Sequence, residues 1–393
     1  MTEFRSPLFE LADKYVETST RMSPMACTEL GISGYDHKLD EFTIEEANEQ
    51  ADFARQILKR AKEATPIDDI DRIGQAVLIE RLESNLRVHD SFEQFVTYSP
   101  ISNPASNIRS IFAIMPTEGE EAIANITARL NLVEKSLNGW KQTIEAMESM
   151  GKHTARRQVL GVAEQLSTFA NGGWEAMAKD IDPDGNHQAL HEAAESAQTA
   201  SANMSQWLRE VHAPRSPETD GVGEDRYQPW AAYFTGADLD LRATYEWGIE
   251  ELARINDRMH KAAAKLGLED MPLKDVAEYC ENSENHRIVG EEALLQKLKD
   301  FTQDAITKLN GTYFDVDERI AFCDARLAPE GSAGAAYYMA PSEDLSRPGT
   351  TWYPTLGHTQ FNFWHIASTW YHEAVPGHHL QIATAILEKD RLS

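Results

Sequence analysis

Between Glu120 and Gly151 the apolar residues Ile123, Ile126, Leu130, Val133, Leu137 and Trp140 recur three and four positions apart. An α-helix completes a turn in 3.6 residues, so this spacing puts them in one stripe. Thr117-Glu118-Gly119-Glu120 has the form of a capping box, and the pattern predicts a single long helix from there to near Gly151. The same period returns at Leu241, Tyr245, Leu252, Ile255 and Met259, with Gly267 as the C-cap. Thr43-Ile44-Glu45-Glu46 is another capping box; it opens a polar, Ala-rich helix to about Ala64, broken by Pro66, and a further helix runs from about Asp69 to Val88. Two stretches interrupt the helical pattern. Residues 213–229 are rich in Pro, Gly and acids and mark a boundary between an N-terminal helical region (1–212) and a second region (230–393) of what reads as one continuous body. Residues 311–356 are richer in Gly, Pro, Tyr and Thr, with Phe314-Asp315-Val316 and Arg319-Ile320-Ala321-Phe322 as short strands. The predicted class is all-α, mainly helical, with a small β element.

Composition narrows the function. Apolar residues make up 41% and charged residues 26% of the 393, as in a globular chain. With 64 acidic against 37 basic residues the formal net charge is -27, which repels nucleic-acid phosphates and anionic membranes and favours neutral or cationic substrates. Cys27, Cys280 and Cys323 are far apart and odd in number, which fits neither a disulfide framework nor a CxxC metal pair. The N-terminus has acidic residues where a signal peptide needs an apolar core, and no run of about 18 apolar residues occurs. These features predict a cytoplasmic protein with no nucleic-acid or membrane partner.

The chemistry is concentrated near the end of the chain. Five of the 13 histidines fall between His358 and His379, and the segment Tyr371–Gln381 reads YHEAVPGHHLQ. A His-Glu pair with a second His further on combines metal ligands and a general base in many zinc hydrolases. His372 and His378 are six residues apart, roughly 9 Å along a regular helix. Pro376-Gly377 lies between them, so the pair meets at one metal only if the helix is broken there. Glu373 is the expected base, placed to take the proton of an activated water. His358, His365, His372 and His379 are each seven apart and share a face on a single long helix, but this spacing alone fixes no ligand.

The string His372–Gln381 resembles the signature of the bacterial family called domain of unknown function 885. Pro24–Asp36 is similar to the family's opening stretch, with Cys27 interrupting it; Ala336–Pro341 and Ser346–Gly349 resemble its "YYxxP…RPG" substrate-side segment. The resemblance implies a zincin-like architecture, akin to helical zinc metallopeptidases of the thimet oligopeptidase and peptidyl-dipeptidase kind, with zinc as cofactor. It implies His372 as one ligand and favours His378 over His379 as the second, the other His orienting substrate or stabilising an oxyanion. Related peptidases take a third ligand, a Glu, from a downstream helix. Only Glu388 follows His379 here, on the continuation of the same helix, so the chain is expected to stop short of that ligand or to be a short form with an incomplete site. On that expectation residues 1–393 bind zinc weakly, and the apolar face from Leu380 to Leu387 lacks a partner unless a second chain, as in a homodimer, covers it.

Tyr337, Tyr338 and Arg347 complete the candidate site. A phenol donates to an oxyanion and a guanidinium grips a carboxylate, although Tyr pairs and RPG turns serve equally well as structure. The reading is a zinc-dependent hydrolase of peptide or related amide bonds. A non-catalytic helical binding protein and an amidase for a non-peptide metabolite are the alternatives.

Overall fold

Ser6, Ser23 and Asn103 each precede a proline, and each side chain accepts a hydrogen bond from the N–H three residues on, at 3.2, 3.1 and 2.9 Å. The oxygen satisfies a donor that the first helical turn leaves free, and proline's fixed φ suits the first helical position. Devices of this kind begin several helices of a mainly helical chain. The computed structural model describes residues 6–328, 335–342 and 345–389, in two compact units, Met1–Leu241 and Arg242–Ser393.

The first unit carries α1 (Pro7–Arg21), α2 (Pro24–Glu29), α3 (Ile44–Glu63), α4 (Asp69–Asp90), α5 (Glu93–Val96) and α6 (Pro104–Ile111). It continues with α7 (Glu120–Leu130), α8 (Val133–Ser149), α9 (Arg156–Thr168), α10 (Trp174–Ile181), α11 (Gln188–Trp207) and α12 (Glu224–Thr235). Helices α7 to α10 pack around α11. The buried face of α11 includes Ala193, Ala194, Ala197 and Ala200, small side chains that let its neighbours approach closely. Arg129 is fully buried. Its guanidinium donates to the Lys38 and Tyr35 carbonyls at 2.7 and 3.1 Å and to Thr28 Oγ1 at 2.9 Å. The Pro24–Asp36 stretch is thus folded onto α7 by a cation it surrounds with acceptors.

Several expectations change. Thr43 caps α3 as read, but Glu46 reaches back to the Glu41 and Phe42 N–H groups. The predicted helix from Thr117 to Gly151 is two helices, broken at Asn131-Leu132, and its N-cap is Gly119 with no side-chain bond. The stripe runs on across the break because Leu130 and Val133 keep the three-residue spacing and are both buried. Residues 213–229 belong with the first unit: the Arg156 N–H donates to the Pro217 carbonyl at 2.8 Å, and Arg226 binds the Glu93 carboxylate at 2.8 Å. The division falls after Leu241 instead.

The second unit holds α13 (Leu241–Lys265), α14 (Leu273–Glu281), β1 (Arg287–Val289), α15 (Glu291–Leu309), β2 (Asp324–Leu327) and β3 (Tyr337–Met339). Then come β4 (Thr350–Tyr353), β5 (Gln360–Asn362), α16 (Phe363–Glu373) and α17 (His378–Leu387). The boundaries of α13 match its pattern, and Gly267 closes it at φ +73°. Its stripe is not a core, however: Tyr245 and Leu252 are 70% and 62% exposed, and Ala263 is its one buried residue. Strand β1 pairs antiparallel with β5, while β4 lies between β2 (parallel) and β3 (antiparallel). The segments read as strands are otherwise. Phe314 makes only an isolated bridge to Asn310, and Glu318–Ile320 is a 3₁₀ turn, favoured because Asp317 accepts from the Arg319 N–H and pairs with its guanidinium.

Candidate metal centre

Phe363, Ile366 and Trp370 face inward from α16, at the spacing of a helix stripe. The Trp370 indole N–H donates to Thr302 Oγ1 on α15 at 2.8 Å, and Asn362 caps the first turn. Packing on that side fixes the helix and carries His372 and Glu373 out at its end. There the helix stops. The Val375–Pro376 peptide is cis, the Gly377 N–H donates to the Tyr371 carbonyl at 3.0 Å, and the His379 N–H donates to the Ala374 carbonyl at 3.0 Å as α17 begins. A Cβ on Gly377 would lie 1.8 Å from the His372 carbonyl oxygen, so only glycine lets the chain fold back this tightly.

The break brings the candidate ligands together. The His372 and His378 rings stand edge to face with centroids 4.5 Å apart. One ligand-type atom each from His372, Glu373 and His378 lies within 4.8 Å of the others, the one such group among the described residues. Glu373 is buried, His378 half-buried and His372 exposed, and His378 Nε2 is 3.8 Å from Glu373 Oε2. This donor set suits zinc, whose tetrahedral ligands at about 2.0–2.1 Å sit roughly 3.3 Å from one another. The site is open on the His372 side.

His379 points elsewhere. It is 1% exposed, with Nε2 at 2.8 Å from the Ile320 carbonyl and Nδ1 at 2.9 Å from Tyr338 Oη. Burial lowers its pKa below the ordinary value, with the hydrogen bond to Ile320 opposing, and both ring nitrogens are engaged. Tyr338 is pushed up by burial, against a smaller downward pull from the Arg347 charge. Its hydroxyl faces Gly349, where a Cβ would sit 2.1 Å away, so it is turned into the protein. Tyr337 stacks on its cross-strand partner Trp352 at 6.0 Å and 8°, and Arg347 is exposed. His358 lies in a turn ahead of β5 and His365 on α16 beside Trp364, so the four seven-spaced histidines are not on one helix. Glu388 follows α17 and lies outside the His372 group. The face of α17 is covered in part, with Leu380 and Ala383 buried beside Ile320 and Leu387 half-buried against them, while Ile382 and Ile386 are half-buried. Sequence reasoning missed Gly349 and the Ile320 carbonyl. The first stood within the RPG segment; the second is a backbone group with no sequence signal.

A family model described as bacterial protein of unknown function, DUF885, matches residues 24–393. The chain belongs to this family. Among solved structures, this DUF885 chain is similar to "the putative lipoprotein from Colwellia psychrerythraea", with TM-score 0.78 and 17% identity over 98% of this chain and 74% of that one. It is also similar to "a putative lipoprotein of unknown function from Shewanella oneidensis", with TM-score 0.71 and 14% identity over 97% of this chain and 72% of that one. Nothing among the curated proteins matches. At these identities the likeness shows the fold. The descriptions overturn the cytoplasmic expectation, which rested on three scattered cysteines and an acidic N-terminus; free thiols do not fix a compartment. Among the described residues no helix is long and apolar enough to cross a membrane.

Proposed function

We propose that this DUF885 chain carries the metal centre of a zinc-dependent hydrolase acting on peptide or related amide bonds, within a zincin-like helical architecture. The observation that carries the reading is the junction of α16 and α17, where a broken helix gathers two imidazoles and a carboxylate within 4.8 Å. His372 and His378 hold the metal through ring nitrogens. A bound zinc supplies Lewis acidity towards a water and the substrate carbonyl. Glu373, directly after the first ligand and buried, takes the water's proton onto a carboxylate oxygen as the carbonyl carbon is attacked, and delivers it to the leaving nitrogen. A catalytic zinc usually takes three protein ligands and keeps one position open for water, and the third ligand is assigned to none of the described residues.

Zinc titration and amide hydrolysis by wild type, His372→Ala and Glu373→Gln test this reading. The expected result is zinc bound by wild type and Glu373→Gln, lost in His372→Ala, with hydrolysis lowered about 10²- to 10⁴-fold by Glu373→Gln. Unchanged zinc binding in His372→Ala removes the metal assignment. Zinc bound by wild type with no hydrolysis by wild type favours the binding-protein alternative.

A further inference from the structure

His379 follows a candidate ligand directly yet takes no part in the metal group. Its surroundings determine what its ring can do. A carbonyl oxygen only accepts, so the contact between Nε2 and the Ile320 carbonyl places a hydrogen on Nε2. A neutral imidazole carries one such hydrogen, which leaves Nδ1 as an acceptor and makes the Tyr338 hydroxyl the donor in the 2.9 Å contact. A phenol has one proton to give. Tyr338 has given it to His379, so it has none for an oxyanion.

What Tyr338 offers the site is its ring. It lies nearly parallel to the His378 ring, 24° apart with centroids 6.5 Å away, and edge-on to His379 at 5.7 Å. The arrangement is tight: a Cβ at Gly349 would stand 2.1 Å from Tyr338 Oη and 2.6 Å from His379 Nδ1. Three separate pieces of backbone therefore converge on one buried imidazole: the 3₁₀ turn at Ile320, strand β3 through Tyr338, and the approach to β4 at Gly349. Gly349 is itself anchored, its carbonyl accepting from the Asp324 N–H at 2.9 Å.

Resting on the metal reading, we propose that His379 is a positioning residue: a single-tautomer strut between the Ile320 carbonyl and Tyr338 that holds the Tyr338 ring beside His378 and sets the angle at which that ligand meets the metal. Ligand orientation is what groups around a metal site commonly control, and loss of one such support costs metal affinity while the ligands stay in place.

The test uses the chain with Zn²⁺ and Co²⁺ as probes. Tyr338→Phe keeps the ring and removes the proton; His379→Phe removes both hydrogen bonds; His379→Asn returns an amide oxygen near Nδ1. The expected result is a zinc Kd about tenfold higher in Tyr338→Phe, with a shifted Co²⁺ absorption band and an unchanged far-UV spectrum. His379→Asn is expected to lie between wild type and His379→Phe. A support role in folding alone would lower Tm and leave the Co²⁺ band unmoved, and that result overturns the proposal, as does a wild-type Kd and band in Tyr338→Phe. Should His379→Phe not fold, Tyr338→Phe decides by itself. Wild-type chain that binds neither ion shows that the metal reading has failed and takes the proposal with it. Zinc bound by wild type with unaltered variants shows that only the strut has failed. Ring ¹⁵N shifts give a second check, since a hydrogen on Nδ1 of His379 instead of Nε2 contradicts the strut.

Discussion

Replacing Gly377 with alanine puts a methyl carbon 1.8 Å from the His372 carbonyl oxygen, 2.4 Å from its carbon and 2.6 Å from the Tyr371 carbonyl oxygen. All three are backbone atoms, so no side-chain rotation relieves the clash. The last turn of α16 cannot easily retreat, because the Ala374 N–H donates to the Trp370 carbonyl at 2.8 Å and Trp370 is 1% exposed. Reaching an ordinary contact requires the two segments to separate by at least about 1 Å, and overpacking of this kind costs about 3 kcal/mol. Glycine's extra freedom in the unfolded chain works the other way, favouring alanine by about 0.4–1 kcal/mol, and does not offset it. The expected fall in Tm is about 5–10 °C, at roughly 2–4 °C per kcal/mol for a body of this size. His372 and His378 move apart with the same shift, and since a metal site tolerates about 0.5 Å of misplacement, zinc affinity falls at least about tenfold. Thermal unfolding and zinc titration read both effects. Gly221→Ala is the control, because its new methyl meets nothing nearer than Thr219 Cγ2 at 3.9 Å. A Gly377→Ala protein that melts and binds zinc like that control would refute the argument that close backbone approach holds the two histidines together.

Other parts of the chain give independent expectations. Arg129→Met leaves the Lys38 and Tyr35 carbonyls and Thr28 Oγ1 without their buried donor, and unfolding in urea should show a loss of about 3 kcal/mol. Asp182 accepts from the His187 and Asn186 N–H groups and contacts the His191 imidazole at 3.1 Å, and the backbone bond to His187 leads in holding its pKa at about 2, below the ordinary 3.8. A depressed carboxylate stabilises the fold above pH 3.8 and loses that contribution as pH falls towards about 2, so Tm should drop through this window by more in wild type than in Asp182→Asn, where depressed groups such as Asp317 remain. The same drop in both proteins would place the acid sensitivity elsewhere.

Local pattern carried much of this protein. The three-and-four stripe around Trp140, the proline-led caps at Ser6 and Ser23, and the polar face of α3 are decided by residues within a turn or two of one another, so the sequence determined the helical class and the positions of α3, α4 and α13. It also marked Pro376-Gly377 as the place where a helix joining His372 to His378 is expected to be distorted. Tertiary structure decided the rest. A stripe reads the same across a break, so only packing separates α7 from α8, and an apolar face on α13 is identical in sequence whether or not anything covers it. The distance from His372 to His378 depends on how closely Gly377 meets the turn before it. The part played by His379 depends on Tyr338 and Ile320, 41 and 59 residues away. Such contacts are set by chain reversals and backbone carbonyls, which every residue possesses, and the order of side chains carries no mark of which carbonyl will be met.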